Sequence, residues 1–211
     1  KTIIFFDLDG VIFDSYGLWD KAVEDFLSTA NLTYTTNEAE VVAIKYARGR
    51  TLFERTIWKQ GQAYQPEILN DFASIIETVD IMENAKCVLA ALVRRGCKLY
   101  AVTLIIIDFA EIGLKSQQLL PYFTTLYSCL SMGYADKEQG FFQESTQQEC
   151  LNANQIIYVE DSLANLKKLE TGAGIYLANS DNPQAGQNDT FVTIDSLDEL
   201  TKNSKGNKTI L

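Results

Sequence analysis

The chain begins with a short apolar run that ends abruptly in two acids, and this stretch constrains the fold more than any other. Residues 1–15 read KTIIFFDLDGVIFDS, with four consecutive apolar residues directly before Asp7. Such a run predicts a strand buried on both faces, as in a parallel sheet. Asp7 and Asp9 are two residues apart, so an extended backbone would point both carboxylates to the same side. Because ligands bind at the carboxyl ends of strands in open α/β sheets, the stretch predicts two acids at a ligand site.

The two acids need a compensating positive charge. Burying carboxylates side by side costs several kcal/mol unless a partner offsets their charge, and a divalent cation is the natural partner. Gly10 follows directly and permits a tight turn away from the strand end. The alternative interpretation is a calcium-type or merely solvated acidic turn.

The remainder of the chain divides into two regions with different patterns. Residues 16–80 contain apolar residues at helical spacing, such as Trp19, Val23 and Phe26, and no convincing strand. From residue 84 onward, strand and helix patterns alternate, which predicts a doubly wound parallel sheet. The predicted strands are 98–104, 126–130, 155–159, 175–177 and 191–194, and the predicted helices include 108–120 and 163–171. A further helix, lined by Val88, Leu89, Leu92 and Val93, is predicted to end at Gly96, and Ser196 with Glu199 is predicted to cap the last helix. We therefore predict an α/β core formed by residues 1–15 and 81–211, with residues 16–80 as an inserted helical cap.

Composition narrows the classes of function. A formal net charge of −10 argues against nucleic acid as a partner, because phosphate backbones attract Lys and Arg. No segment approaches the ~20 apolar residues of a membrane helix, so no membrane partner is expected. The four cysteines form no C-x-x-C pair, and no secretory leader is recognisable, which favours a reducing cytoplasm. The oligomeric state is not readable from the sequence.

The chain contains no histidine. This excludes Ser-His-Asp and Cys-His catalysis and zinc sites with histidine ligands. Acid/base work would therefore fall to carboxylates, lysine, tyrosine or cysteine, and Asp9 fits that role.

The opening stretch resembles the first signature of the haloacid dehalogenase superfamily, an apolar strand followed by D-x-D-G-x-x-x-D-S. The matching residues are Asp7, Asp9, Gly10, Asp14 and Ser15. The resemblance implies that Asp7 attacks phosphorus, that Asp9 is the general acid/base, and that Gly10 belongs to the substrate site. It also implies that both acids take part in a Mg²⁺ site. The chain is most similar to the subgroup with helical caps, which includes phosphoglycolate phosphatases and β-phosphoglucomutases.

Two further positions resemble the second and third signatures of the superfamily. Thr103, at the end of a predicted strand, matches the hydroxyl that donates to the phosphoryl group, although Leu104 follows where relatives often have asparagine. Lys137 matches the lysine that balances negative charge, although relatives often continue with prolines that are absent here. The alternatives are an ordinary strand threonine and a solvated lysine, with Lys115 as the substitute for Lys137.

The sequence Val-Glu-Asp-Ser at 159–162 resembles the fourth signature. The resemblance implies that Asp161 binds the metal and that Glu160 binds it directly or through water. Mg²⁺ suits this set because it prefers oxygen ligands. A helix N-cap formed by Asp161 or Ser162 is the alternative.

A basic cluster in the predicted cap completes the candidate site. Arg48, Gly49 and Arg50 resemble the loop with which related caps contact substrate, and arginine can bind a phosphate with two donors. Basic residues at a helix C-terminus, followed by a glycine stop, are an equally good explanation.

The resemblance as a whole implies a Mg²⁺-dependent phosphatase that acts on a small phosphorylated metabolite through an aspartyl-phosphate. A sugar-phosphate mutase, a 2-haloacid dehalogenase and a catalytically weak phosphate-binding regulator are the alternatives. The presence of Asp9 speaks against the dehalogenase.

Overall fold

The main feature of the molecule is a six-stranded sheet in which every neighbouring pair of strands is parallel. The computed structural model describes residues 1–15, 17–18, 73–74, 76–104, 107–134, 136–178 and 191–201. The strands of this sheet are β1 Ile3–Phe6, β4 Lys98–Thr103, β5 Phe123–Ser128, β6 Ile156–Glu160, β7 Ala173–Leu177 and β8 Phe191–Ile194, and β2 Phe13–Asp14 and β3 Asp80–Ile81 form a separate pair. The order across the large sheet is β5-β4-β1-β6-β7-β8. The predicted parallel α/β sheet is confirmed.

Helices follow the strands along the chain. The α-helices are α1 Ala85–Arg94, α2 Ile107–Ser116, α3 Gln139–Gln148 and α4 Leu163–Leu166, and 3-10 turns occupy Leu120–Tyr122, Ala153–Gln155 and Leu197–Leu200. The last of these begins with the predicted reciprocal cap between Ser196 and Glu199.

β1 lies at the centre of the sheet and is buried on both faces. Ile4 and Phe6 belong to an apolar cluster that includes residues of α1 and α2, whereas Ile3 and Phe5 belong to a second cluster that includes residues of α3. The Phe5 ring centroid lies 5.0 Å from that of Tyr100 on β4. Alternate side chains of a strand point to opposite faces, so four consecutive apolar residues are what this position requires.

Several predicted element boundaries were wrong. β5 begins at Phe123 rather than 126, and Thr125 within it donates its hydroxyl to Glu149 at 2.8 Å. α2 ends at Ser116 rather than 120, since Gln118 adopts a positive φ of 58°. α4 is a single turn rather than a helix over 163–171.

The helix α1 buries Val88, Leu89 and Leu92 of its predicted apolar stripe, and the prediction was wrong only for Val93. Val93 was expected on the apolar face but is 41% exposed, while Ala85 is fully buried. Gly96 follows the helix with a φ of 82° and donates its N–H to the Val93 carbonyl, as predicted for a helix stop.

A tight turn carries the chain from β1 into β2. The carbonyl of Leu8 accepts hydrogen bonds from the N–H groups of Ile12 and Phe13, and Gly10 adopts a φ of 73°. β2 then pairs antiparallel with β3, so the segment that follows β1 and the segment that precedes α1 lie next to each other. These two strands lie at the predicted boundaries of the cap. The cap itself falls almost entirely outside the described residues and stays a prediction.

Gly172 directly precedes β7 and packs closely against neighbouring backbone, so a substitution there tests how tightly this end of the sheet is packed. Its φ is 88°, and a Cβ there would lie 2.7 Å from the Ile156 carbonyl oxygen. Gly96 has a similar φ of 82° with nothing within 4 Å of its Cβ position. Gly96→Ala should therefore cost about 1 kcal/mol of unfolding free energy from backbone strain alone. Gly172→Ala should cost roughly 2–4 kcal/mol because steric overlap is added. Urea unfolding measures both, and equal losses would contradict the described packing.

Candidate active site

The carboxyl ends of the three central strands carry the candidate polar residues. β1 lies between β4 and β6, and the chain builds outward to β5 on one side and to β7 and β8 on the other. This reversal of strand order creates a crevice at the carboxyl ends of the strands. Asp7 directly follows β1, Thr103 ends β4, and Glu160 ends β6 with Asp161 next in the chain. The topology thus brings three distant segments to one edge of the sheet.

Lys137 reaches this edge from the segment between β5 and α3. Its Nζ lies 2.6 Å from Asp7 Oδ1 and 2.8 Å from Glu160 Oε2. Asp7 Oδ1 also accepts a hydrogen bond from the Leu8 N–H at 2.7 Å. The lysine is only 1% exposed, so the ammonium and its two carboxylates form a buried ionic group.

Burial and mutual charge shift the pKa values of this ionic group in different directions. Burial, together with the charge of Glu160, raises the pKa of Asp7 well above its ordinary range. Burial alone would also raise the pKa of Glu160, but the Lys137 ammonium outweighs it and lowers that pKa. Burial opposes the charge of Lys137, yet its two carboxylate partners raise the pKa of the amine overall. Asp7 is therefore the carboxylate of the pair that takes up a proton first.

Asp7, Glu160 and Asp161 form a group of acids that could hold a metal ion. One carboxylate oxygen from each lies within 4.8 Å of the others. Burial and then the charge of nearby Asp9 raise the pKa of Asp161 to about 7. An all-oxygen set with excess negative charge suits a hard divalent cation such as Mg²⁺.

Asp9 lies outside that group of three acids. Its side chain is 6% exposed and accepts a hydrogen bond from the Ser15 hydroxyl. Ser15 matched the sequence motif without an assigned function, and the structure places it as a contact that orients Asp9. The predicted metal contact of Asp9 stays a prediction.

The backbone after β6 holds Glu160 firmly in place. Glu160 Oε1 accepts hydrogen bonds from the N–H groups of Asp161 at 3.1 Å and Ser162 at 3.0 Å. The residue that caps α4 is Ser162, whose side-chain oxygen accepts from the Asn165 N–H. The cap alternative therefore applies to Ser162, and the Asp161 carboxylate joins the acidic group instead.

The remaining candidates lie in different surroundings. Thr103 is fully buried, and its carbonyl accepts a hydrogen bond from the Cys129 N–H at 2.9 Å. Lys115, the substitute for Lys137, forms a surface ion pair with Glu111 four residues earlier on α2. Gly10 occupies the turn after β1. Arg48, Gly49 and Arg50 lie outside the described residues and stay predictions.

Sequence reasoning missed three polar residues, Asp136, Asn165 and Lys168, that are linked to Lys137 and Glu160 by hydrogen bonds and an ion pair. Asp136 and Lys168 form an ion pair of 2.6 Å, and Asn165 Nδ2 lies 3.3 Å from Glu160 Oε2. The sequence held one weak signal for them: Asn165 and Lys168 are three residues apart, so they would lie on the same face of a predicted helix.

A family comparison agrees with this arrangement. A model of haloacid dehalogenase-like hydrolases matches residues 4–169, which include every signature described above. The chain belongs to this family. The resemblance inferred from the opening stretch is thereby confirmed, and the protein is a member of a family of hydrolases. No curated protein matches the sequence.

Several solved structures share the fold of this chain. CbbY from Rhodobacter sphaeroides, in complex with phosphate, is 13% identical with a TM-score of 0.72, and the match covers 95% of this chain and 96% of that one. The HAD-hydrolase YfnB from Bacillus subtilis, bound to magnesium, is 17% identical with a TM-score of 0.67 and the same coverages. A dehalogenase is 14% identical with a TM-score of 0.66 over 94% of this chain and 95% of that one. At these identities the likeness concerns the fold. None of the described helices combines the length and apolarity needed to cross a membrane.

Replacing Lys137 should destabilise the protein strongly. Lys137→Met leaves Asp7 and Glu160 buried without their cation, and losing one partner of a buried ion pair typically costs about 3–5 kcal/mol. Lys115→Met, in the exposed pair with Glu111, should cost at most about 1 kcal/mol. Urea unfolding in EDTA measures both losses.

The Lys137→Met penalty should also depend on pH. Without the ammonium, the folded-state pKa of Glu160 rises above its unfolded value and the already raised pKa of Asp7 rises further, so the penalty is full at neutral pH and shrinks as acidification protonates both acids. A penalty that grew on acidification would contradict the described ion group.

Proposed function

We propose that the protein is a Mg²⁺-dependent phosphatase that hydrolyses a small phosphate ester through an aspartyl-phosphate on Asp7. One observation carries the proposal. The Asp7 carboxylate contacts a buried cation, Lys137, and approaches two further acids, Glu160 and Asp161. A nucleophilic carboxylate beside a fixed positive charge and a candidate cation site is what phosphoryl transfer requires.

The residues divide the reaction into two steps. In the first, an Asp7 oxygen attacks phosphorus, the bond from phosphorus to the ester oxygen breaks, and Asp9 gives its proton to the departing alcohol. In the second, Asp9 takes a proton from water, the water oxygen attacks phosphorus, and the bond to Asp7 breaks to release phosphate. Asp9 is buried and accepts a hydrogen bond from Ser15, so its carboxyl group is held in one orientation for both proton transfers.

Lys137 supplies the fixed positive charge in both steps. Its ammonium contacts the nucleophilic carboxylate directly, and its raised pKa keeps it protonated throughout the neutral range. We assign Thr103, at the end of the neighbouring strand, as the hydroxyl that donates to the phosphoryl oxygens.

Asp7, Glu160 and Asp161 are the residues that would hold Mg²⁺. When bound, the ion offsets the charge of the acids and of the phosphate. The fit rests on the donor set: three carboxylates approach one another, and the burial that raises the pKa of Asp7 and Asp161 makes their charged forms costly without a further cation.

The same acids favour a phosphatase over a haloacid dehalogenase. A dehalogenase uses the same nucleophile but needs neither a metal site nor an acid to protonate an alcohol. A cluster of three acids beside Lys137, with Asp9 close by, has no use in that reaction.

Hydrolysis of an aryl phosphate tests the proposed chemistry. Wild-type protein should hydrolyse it with Mg²⁺ and lose the activity in EDTA, while Asp7→Asn should be inactive because the amide is not a nucleophile. Asp9→Asn should keep the Ser15 contact but lose about 10²–10⁴ in kcat, the usual contribution of a general acid/base. Release of chloride from 2-chloropropionate, or turnover that survives Asp7→Asn, would contradict the proposal.

Calorimetry tests the metal site without relying on turnover. Mg²⁺ at a hundred times its Kd should stabilise the wild type by about 2.7 kcal/mol, seen as a rise in Tm. Asp161→Asn should remove most of this rise, whereas Glu138→Gln, a change at an exposed acid near Lys137, should retain it. Because the carboxylates must be deprotonated to bind, Mg²⁺ affinity should fall below a pH of about 7, where Asp161 begins to hold its proton. An unchanged Mg²⁺ response in Asp161→Asn would remove this residue from the site.

A further inference from the structure

A closed chain of polar contacts surrounds Lys137. Its Nζ lies 2.8 Å from Glu160 Oε2, to which Asn165 Nδ2 donates at 3.3 Å. Lys168 Nζ donates to Asn165 Oδ1 at 3.5 Å and lies 2.6 Å from Asp136 Oδ2. Asp136 Oδ1 then accepts from the Lys137 backbone N–H at 2.8 Å. The circuit begins and ends on Lys137.

The circuit ties the ammonium of Lys137 to α4 through Asn165 and its backbone to the turn after α4 through Lys168. This short helix is anchored on its own account, because Ser162 caps it and Leu166 is 5% exposed within the second apolar cluster. Residues 136–138, in contrast, precede α3 and contain no proline, so local covalent geometry does little to restrain the lysine-bearing segment. The tie from Asp136 to Lys168 supplies a restraint from outside that segment.

A lysine needs such restraint more than most residues. Its ammonium is a point charge on a flexible four-carbon stem. Lys137 must keep its position while the Asp7 oxygen that it contacts gains and loses a phosphoryl group, and at that stage the contact with Asp7 changes. The Glu160 contact and the backbone tie through Asp136 are then the contacts that keep the amine in place.

We propose that Lys168 and Asn165 are positioning residues for Lys137, with Lys168 acting through Asp136 and Asn165 acting through Glu160. Their catalytic consequence rests on the proposed phosphatase function, whereas the restraint of Lys137 does not. The two parts can therefore be tested separately.

Chemical labelling tests the restraint directly. Metal-free protein is treated with acetic anhydride, and acetylation of Lys137 is followed by peptide mass spectrometry. In Lys168→Met the labelling rate of Lys137 should rise about fivefold, the change expected on losing a partly exposed ion pair. Lys167→Met, a change at the exposed neighbouring lysine, should leave the rate at the wild-type value, and Lys168→Arg should restore it. The labelling rates of Lys98 and Lys115 in the same samples serve as internal references for the reagent concentration and for the global stability of each variant.

A double-mutant cycle tests the route through Asp136. Asp136→Asn keeps an acceptor for the Lys137 N–H but loses the ion pair with Lys168. If the two residues act on Lys137 together, combining Asp136→Asn with Lys168→Met should be no worse than either change alone. Multiplication of the two labelling increases would overturn the shared route.

Kinetics with an aryl phosphate and Mg²⁺ test the catalytic consequence. Lys168→Met should lower kcat about three- to tenfold with little change in KM, because Lys137 matters most as charge develops in the transition state. Asn165→Ala should do the same, and Lys168→Arg should restore kcat.

The outcomes separate this inference from the proposed function. Labelling that rises in Lys168→Met but not in Lys167→Met supports the restraint, even if the wild type turned over no phosphate ester. Wild-type turnover combined with equal labelling and equal kcat in Lys168→Met and Lys167→Met would overturn the inference and leave the phosphatase standing.

Discussion

The buried contact of Lys137 with Asp7 and Glu160 is the interaction on which the rest of the site depends. An ammonium and two carboxylates removed from water are tolerated only when they meet at close range with their other atoms hydrogen bonded. The contact depends on the parallel pairing of β1 with β6, on the N–H groups after β6 that hydrogen bond to Glu160, and on the segment before α3 that carries Lys137. Any shift of these elements would leave a charge buried and unpaired.

Among the described residues, the site nevertheless holds more acidic than basic side chains. Lys137 is the cation that contacts Asp7 and Glu160, while Asp161 and Asp9 lie close by and Asp161 carries a pKa raised to about 7. Such a concentration of negative charge lowers the stability of the fold unless another cation binds. Proteins commonly retain strain of this kind where function requires it. The excess of negative charge thus lowers the stability of the metal-free fold and, in the proposed reaction, is what would bind Mg²⁺.

The sequence predicted the positions of the chemistry better than the boundaries of the elements. Asp7 and Glu160 stood out because polar residues end apolar runs, and that signal survives in any fold that buries the strands. The start of β5 was predicted poorly because Thr125 interrupts the apolar run and meets its partner Glu149 only in the folded chain, and α4 is shorter than its apolar spacing predicted. Val93 was misplaced because helical spacing alone does not show where the buried stripe of a helix stops.

What the sequence by itself determined is the parallel α/β architecture, the family, and the set of acids that follow the strands, since each depends on local periodicity and short motifs. Only the tertiary structure decided that Glu160 pairs with Lys137, that Ser162 rather than Asp161 caps α4, and that Asp136, Asn165 and Lys168 surround the lysine. These contacts join residues that are far apart in the chain or compete for the same partner. Their outcome is set by which side chains the strand order brings within hydrogen-bonding distance, and no local pattern records that.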